Sequence, residues 1–336
     1  MNQAEIDSYD QHCWRRYRQF LYDNIKTIAT KKNFDYVHHD QLDNIESSND
    51  VIVTAYIFDL IPDKSWFAQL DLQCQKMGKK VYYFTDNIVG NSYKFDTIKI
   101  FSIPKILGIT ANYSKVDLNR NKTKTKLFNC FMQRSDSVRQ SWFYFLYEKN
   151  LLDSGYVSFL LKQLTDYSSL TGKELFTWIH DNFELGELPH FQNAYINLVN
   201  QVPYQNFVEQ NNLIPLVLDS KYSLNLETYA NAEQDCWCFT EKSLRSLQLP
   251  TIDLMFIQTN GYKILQNLGF QLLDHSDFDH LSWQQRQEKI LEILENDSVD
   301  CDDTLMIEQA YHNQDILSNW KEEVFAADFF ERYFES

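Results

Sequence analysis

Strand-like and helix-like segments alternate through the first third of this chain, and that alternation restricts the fold more than any other feature. Residues 49–58 (NDVIVTAYIF), 80–85 (KVYYFT) and 97–103 have the apolar, β-branched and aromatic composition of buried strands. Between the first two, residues 64–79 carry large apolar side chains at helical spacing. Strands that alternate with helices pair in parallel and are covered on both faces. We therefore predict a Rossmann-like α/β domain over residues 1–122.

Length and composition predict a second domain. The chain has 336 residues, of which 44% are hydrophobic and 15% aromatic, which is enough for two packed cores. Residues 126–147 predict a buried strand, a tight turn and a helix. A mostly helical insert is predicted from 157 to about 208, and the Rossmann-like pattern resumes at Leu213. The second domain is therefore predicted at 123–336.

The sequence lacks the motifs of two common nucleotide-binding classes. It has neither GxGxxG nor a Walker A lysine loop, which disfavours NAD-dependent enzymes and P-loop NTPases. The N-terminal residues are polar and charged, and no stretch approaches the roughly 20 apolar residues of a membrane span. We expect a soluble, cytoplasmic protein with no membrane span.

The six cysteines agree with that location. Cys236 and Cys238 are too close for an ordinary disulfide and lack the second pair that a zinc site requires. We interpret them as reduced residues of a strand or loop that leads into Thr240.

The formal net charge of -16 limits which partners the protein can bind through charge. Nucleic-acid binding depends on clustered lysine and arginine, which an acidic chain offers only in a concentrated patch. The modest basic stretch NRNKTKTK (119–126) could be a solvated linker between domains or could line a cleft. Nucleic acid is therefore a disfavoured partner.

Thr240, Glu241 and Lys242 form a possible phosphate-binding element. Threonine is a good helix N-cap, and the first turn of a helix favours anions through its N–H groups and dipole. A lysine there adds a point charge for phosphate, and a glutamate can accept hydrogen bonds from ribose hydroxyls. The alternative is an ordinary cap followed by a solvated first turn.

Two arginines follow the predicted strand 126–132. Arg134 lies in the predicted turn and Arg139 opens the predicted helix, an arrangement suited to cradling phosphate. The alternative is that both are surface residues paired with Asp136 and Asp153.

The order of these elements resembles that of the α1,3-fucosyltransferases and of a looser group of viral, phage and bacterial glycosyltransferase-like proteins. Over about residues 125–285, Glu227 matches the family's first glutamate and 240–242 its Thr-Glu-Lys. Leu-Gly-Phe at 268–270 matches a third element, and Asp-Phe-Asp at 277–279 is a shortened form of the last. Two positions depart from the pattern, since Thr228 replaces an asparagine and Val138 a histidine.

The resemblance implies a GT-B glycosyltransferase, with two Rossmann-like domains facing across a cleft and a C-terminal helix bracing the first. It implies a nucleotide-sugar donor, such as a GDP- or UDP-sugar, a hydroxyl acceptor, most readily a glycan, and no metal or other cofactor. In the resembling families an arginine at the position of Arg139 contacts the donor phosphates. The implied donor-binding residues are Arg134, Arg139, Glu227, Thr228, Thr240, Glu241 and Lys242.

An inverting reaction would need a general base from the first domain. Asp86 and Asp59 each follow a predicted strand and are the candidates, although either could be an ordinary turn or capping aspartate. Two acidic runs suggest a rival metal site of the Asp-x-Asp type, which we discount in favour of solvated loops and helix caps. Their members are Asp274, Asp277, Asp279, Asp300, Asp302 and Asp303.

Two alternative functions stay open. A phage-type enzyme that glycosylates a hydroxylated DNA base would need a basic cleft wall near 115–126. A glycosyltransferase-like protein without turnover would be a binding module. If the chain is viral, we expect it in the host cytoplasm.

Overall fold

The computed structural model describes residues 14–44, 49–57, 61–103, 118, 124–132, 137–162, 193–197, 214–227, 235–273, 276–299, 302–324, 326 and 328–335. The strands within these ranges are β1 (Asp35–Tyr36), β2 (Val51–Tyr56), β3 (Lys80–Thr85), β4 (Ile88–Val89), β5 (Ile98–Ser102), β6 (Lys126–Met132), β7 (Gly155–Lys162), β8 (Asn193–Asn197), β9 (Ser220–Leu226), β10 (Cys236–Trp237) and β11 (Ile252–Phe256). The α-helices are α1 (Trp14–Lys31), α2 (Lys64–Met77), α3 (Ser137–Glu148), α4 (Ile214–Leu218), α5 (Glu241–Ser246), α6 (Gly261–Asn267), α7 (Trp283–Asn296), α8 (Asp303–Val324) and α9 (Phe329–Glu335). Within the same ranges, 3-10 helices cover His39–Asn44, Leu152–Ser154 and Ser276–His280.

The chain forms two compact units, and neither is continuous in sequence. The first comprises Met1–Asn112, Ala232–Leu244 and Asp315–Ser336, and the second comprises Tyr113–Asn231 and Arg245–Gln314. The divisions fall inside α5 and α8, so two helices contribute residues to both units. Each unit contains a sheet of mainly parallel strands, which confirms a mixed α/β class.

The first unit contains a four-stranded parallel sheet in the order β1-β2-β3-β5. The predicted strands and the helix between them are confirmed, because the buried runs form β2, β3 and β5 and the helical spacing forms α2. Asp63 caps the start of α2 by accepting from two backbone N–H groups, and Gly78 ends it with φ 64°. Local sequence signals therefore set the ends of this helix.

Both faces of this sheet are buried, as parallel pairing requires. On one face, Val53, Ala55 and Phe84 pack with residues of α1 and with Phe329 and Phe330 of the C-terminal α9. On the other face, strand residues pack against α2.

The sequence predicts a single apolar stripe at helical spacing from Ile316 to Tyr333, but α8 ends at Val324 and a separate helix begins at Phe329.

The second unit contains a five-stranded sheet in the order β11-β9-β6-β7-β8. The first four strands are parallel and β8 is antiparallel. The predicted helical insert is wrong at both places that the structure describes, because residues 157–162 belong to β7 and 193–197 form β8. Pairing with β6 along Phe128–Met132 explains the strand form of residues 155–159, whose aromatic and branched side chains suit a sheet. The remainder of the predicted insert lies outside the described residues.

The two faces of the second sheet differ in polarity. Apolar residues such as Phe256 face α3. The rings of Trp142 and Phe256 pack edge to face, with 5.3 Å between their centroids. On the opposite face Asp253, Ser223 and Asn129 are aligned in register across three strands. The hydroxyl of Ser223 donates to the Asn129 side-chain oxygen at 3.1 Å. A polar row is thus buried across one face of this sheet.

Within the described residues, no helix is both long enough and apolar enough to span a membrane.

Candidate functional site

In the second unit, the described strands are added first on one side of β6 and then on the other, so the strand order reverses at β6. From β6 the chain moves to β7 and β8 on one side, and it then returns to place β9 and β11 on the other side. In open parallel sheets ligands bind beyond the carboxyl ends of the strands at such a reversal. The carboxyl ends of β6 and β9 therefore mark the candidate site of this unit, and two predicted residues lie there.

Arg139 is the first of these residues. It lies in the first turn of α3, the helix that follows β6, and only 1% of its surface is exposed. Its Nη2 donates to the carbonyl oxygen of Leu226, the last residue of β9, at 3.3 Å. Burial raises the pKa of the nearby Cys130 thiol to about 12, although the positive charge of Arg139 acts in the opposite direction. Arg139 thus connects the helix after β6 to the end of β9 and places a positive charge at the reversal.

Glu227 is the second residue and follows β9 directly. It is 2% exposed, and its backbone N–H donates to the carbonyl oxygen of Phe256 at 3.1 Å. Since that bond continues the pairing of β9 with β11, the position of the Glu227 backbone is fixed by the sheet. The structure thus places a buried acidic residue at the same sheet edge as Arg139.

Arg286 is a further buried residue at this edge that the sequence analysis missed. It is 2% exposed in the first turn of α7 and donates to the carbonyl of Ile257, just past β11. Burial lowers the pKa of this guanidinium. The signal was present in the sequence, because Arg286 precedes Ile290 and Leu294 at spacings of four on the buried stripe of the helix.

Thr240 and Lys242 belong to the first unit. Helix α5 begins at Glu241, as predicted, and the Thr240 hydroxyl accepts from the backbone N–H of Lys242 at 3.4 Å. The ammonium of Lys242 donates to the same hydroxyl at 3.1 Å. The helix start predicted from Thr-Glu-Lys is therefore confirmed, while the side chain of Glu241 lies outside the described residues.

Asp86 also belongs to the first unit and directly follows β3. It is 1% exposed, and its Oδ1 accepts from the side chain of Asn87 at 3.2 Å. The Asn87 side-chain oxygen in turn accepts from the Cys236 thiol at 3.4 Å. Burial, followed by the negative charges of Asp86 and Asp235, raises the pKa of Cys236 to about 12. The candidate base is thus held beside the segment that leads to Thr240.

Asp235 holds that segment against the loop at Gly90 and Ser92 of the same unit. Its carbonyl accepts from Gly90 N–H at 2.8 Å, and its carboxylate accepts from Ser92 N–H at 3.0 Å. Cys236 then pairs with Val89 in a two-stranded ladder and Cys238 follows β10, which confirms the interpretation of the cysteine pair as part of a strand or loop leading to Thr240. Cys236 and Cys238 are both buried, reduced thiols.

The remaining predicted residues divide into two groups. Arg134, Thr228 and Asp59 lie outside the described residues, as do Asp274 and Asp300. Asp279 and Asp302 act as helix caps, the first accepting from Tyr262 and Lys263 N–H and the second from Thr304 N–H. In the part of the chain that the structure describes, no three His, Cys, Asp or Glu residues are grouped as metal ligands.

Comparisons with protein-family models, with curated proteins and with solved structures found no match. The function must therefore be argued from the sheet edge and its residues.

Proposed function

We propose that this protein is a glycosyltransferase that moves a sugar from a nucleoside-diphosphate sugar to a hydroxyl acceptor, most readily on a glycan. The observation that carries the proposal is the reversal of strand order between β6 and β9, with Arg139 and Glu227 buried at its carboxyl edge. A reversal of this kind is where open α/β sheets bind nucleotides. The choice of sugar transfer depends on the resemblance to the fucosyltransferases, and the GT-B arrangement is part of the proposal.

Charge is the main requirement of the reaction, since a nucleoside diphosphate leaves as the bond to the sugar breaks. Arg139 supplies positive potential at the reversal and fixes the end of β9 through Leu226. Because Arg139 is almost fully buried, its main role in the proposal is to position this edge. Lys242 is the residue that would contact the diphosphate, Glu241 the ribose, and Glu227 would orient the donor.

Asp86 would act as the general base that accepts the proton from the acceptor hydroxyl. Its support is its place after β3 in the first unit, where it accepts a hydrogen bond from Asn87. Asp59 stays the other candidate. If neither carboxylate is needed for turnover, the assignment of the base is wrong while the donor site can still stand.

The test is a panel of GDP, UDP, ADP, CMP and dTDP, each with its sugar derivatives, measured by thermal shift and by release of the nucleoside phosphate. A ligand that binds the native state raises the unfolding midpoint by mass action. We expect one nucleotide to stabilise the protein and Lys242→Ala to weaken its binding. Lys263→Ala is the matched control, because Lys263 is an exposed lysine near the start of another helix.

Binding without turnover would favour the non-catalytic binding module. Absence of binding by every nucleotide would overturn the proposal itself. The DNA-base alternative gains little support, because Lys124 and Lys126 of the basic stretch donate to the backbone carbonyls of Pro250 and Asp153.

A further inference from the structure

A cavity of about 350 Å³ lies in the second unit at the amino ends of the strands. Lys124 lies two residues before β6, Asp219 one residue before β9, and Pro250 two residues before β11. These three strands are parallel, so their carboxyl ends, with Arg139 and Glu227, lie at the other edge of the sheet. The cavity is therefore separate from the candidate site at the carboxyl ends of β6 and β9.

Apolar side chains form about half of the cavity wall. Leu216 and Leu218 come from α4, Ile307 comes from α8, and Pro215 and Pro250 add two rigid rings. Ligand sites are typically apolar clefts of about 300 to 1,000 Å³ with a few polar groups that fix orientation. This cavity is at the small end of that range and suits a compact ligand.

Lys124 supplies positive charge at the cavity, among the lining residues that the structure describes. The ammonium of Lys124 is part-buried and donates to the carbonyl of Pro250, which also lines the cavity. That hydrogen bond holds the positive charge against the wall.

Two carboxylates line the same cavity. Asp219 accepts from the Tyr156 hydroxyl at 2.6 Å and from Thr125 N–H at 3.2 Å, so its position is fixed by two neighbouring strands. Burial, and then the hydrogen bond to Asp219, raises the pKa of Tyr156 and keeps it a donor. Asp303 is exposed at the start of α8 and also lines the cavity. Charges of both signs therefore surround an apolar space.

This combination selects among classes of ligand. An anion would meet Asp219 and Asp303, a cation would meet Lys124, and an uncharged apolar molecule would desolvate all three. A molecule that carries both charges on an apolar body can satisfy the lysine and the carboxylates together.

We propose that this cavity binds a small zwitterion with an apolar body, of the chemical class of α-amino acids with branched or aromatic side chains. The ammonium of the ligand lies toward Asp219 and Asp303, and its carboxylate lies toward Lys124. The apolar body packs against Leu216 and Ile307. This site does not depend on the proposed nucleotide-sugar chemistry.

The test is calorimetric titration of the full chain with leucine and phenylalanine. Each is compared with an amine that lacks the carboxylate (3-methylbutylamine, 2-phenylethylamine) and an acid that lacks the amine (4-methylpentanoate, 3-phenylpropanoate). We expect saturable binding of at least one amino acid and binding about tenfold weaker or more for both of its counterparts. No saturable binding of either amino acid, or equal binding of the counterparts, would overturn the proposal.

Variants test the location of the site. Lys124→Gln and Asp303→Asn are each expected to weaken binding about tenfold or more. Lys126→Gln is the control for the first, because Lys126 also donates to a backbone carbonyl but does not line the cavity. Glu308→Gln is the control for the second, as an exposed acidic residue on the same helix.

A cavity-filling variant separates this site from general stabilisation by solutes. Ile307→Trp adds volume at a half-buried position that lines the cavity and is expected to abolish binding while the protein keeps a cooperative unfolding transition. Unchanged affinity in this variant, or in both charge variants, would place the ligand elsewhere and overturn the proposal.

Discussion

The guanidinium of Arg139, in the first turn of α3, donates to the carbonyl oxygen of Leu226, the last residue of β9, at 3.3 Å. This bond joins the helix after one strand to the end of the neighbouring strand, at the reversal of the second sheet. Arg139 therefore holds the end of β9 in place at the candidate site before any ligand binds.

Replacing Arg139 by methionine should therefore destabilise the protein. The variant keeps most of the side-chain volume but leaves the buried carbonyl of Leu226 without this donor, at a cost of about 1–3 kcal/mol. Urea denaturation measures the free energy of unfolding. Arg332→Met is the control, because Arg332 is exposed and its ion pairs with Glu323 and Asp328 lie at the surface, so this change should alter stability by less than about 1 kcal/mol. Equal stability of the two variants would contradict a structural role for Arg139.

Replacing Asp253 by asparagine should stabilise the protein at alkaline pH. Burial raises the pKa of Asp253 to about 7 from an ordinary value of 3.8, so the folded state holds the proton more tightly. The stability that this provides is fully present below pH 3.8 and is lost as pH rises through about 7. Asparagine cannot ionise, so the variant should gain stability relative to the native protein as pH rises, by about 2–3 kcal/mol between pH 5 and pH 8.

Denaturation at both pH values provides the measurement. Asp315→Asn, the same carboxyl-to-amide change at an exposed position, is the control. A constant difference between Asp253→Asn and the native protein at pH 5 and pH 8 would mean that Asp253 does not titrate in this range.

Asp71 should show the opposite pH dependence. Burial opposes ionisation of its carboxyl, but hydrogen bonds from Thr97, Asp96 and Gln75 outweigh burial and lower its pKa below 3.8. Its contribution to stability is therefore present at neutral pH and is lost as pH falls through the folded-state pKa. Asp71→Asn should cost about 1–2 kcal/mol at pH 7, and the difference from the native protein should shrink toward pH 3. A cost that stays the same at pH 3 would show that the charge of Asp71 is unimportant.

Replacing Gly90 by alanine should destabilise the first unit by about 1–3 kcal/mol. A Cβ at Gly90 would lie 1.9 Å from Oδ1 of Asp235, so the carboxylate would have to move and its bond to Ser92 N–H would be strained. The same change in an Asp235→Ala background should cost much less, because the clash is then absent. Equal costs in the two backgrounds, measured by urea denaturation, would exclude the clash as the cause.

Features governed by neighbouring residues were predictable from the sequence. The runs that became β2, β3 and β6 are continuous and apolar or aromatic, and Thr240 precedes a helix that its hydroxyl caps. Residues 157–162 are wrongly assigned to a helical insert, because a short apolar run does not distinguish a buried strand from a helix.

Features that depend on strand order could not be predicted from the sequence. Asp253, Ser223 and Asn129 are far apart in the chain, and only the pairing of β6, β9 and β11 aligns them on one face. The burial of Arg139 was missed for the same reason, since its partner Leu226 comes from a strand 87 residues later. The sequence therefore indicated which residue types matter but not which of them are buried.

The discontinuity of the first unit has a consequence for biosynthesis. Its sheet is complete by residue 112, but Phe329 and Phe330 complete the core on one of its faces. During translation the apolar residues of that face, including Val53 and Phe84, are covered in part by α1 and are covered fully only after residues 329 and 330 have been synthesised. A segment made long after the sheet itself thus controls when this unit can finish folding.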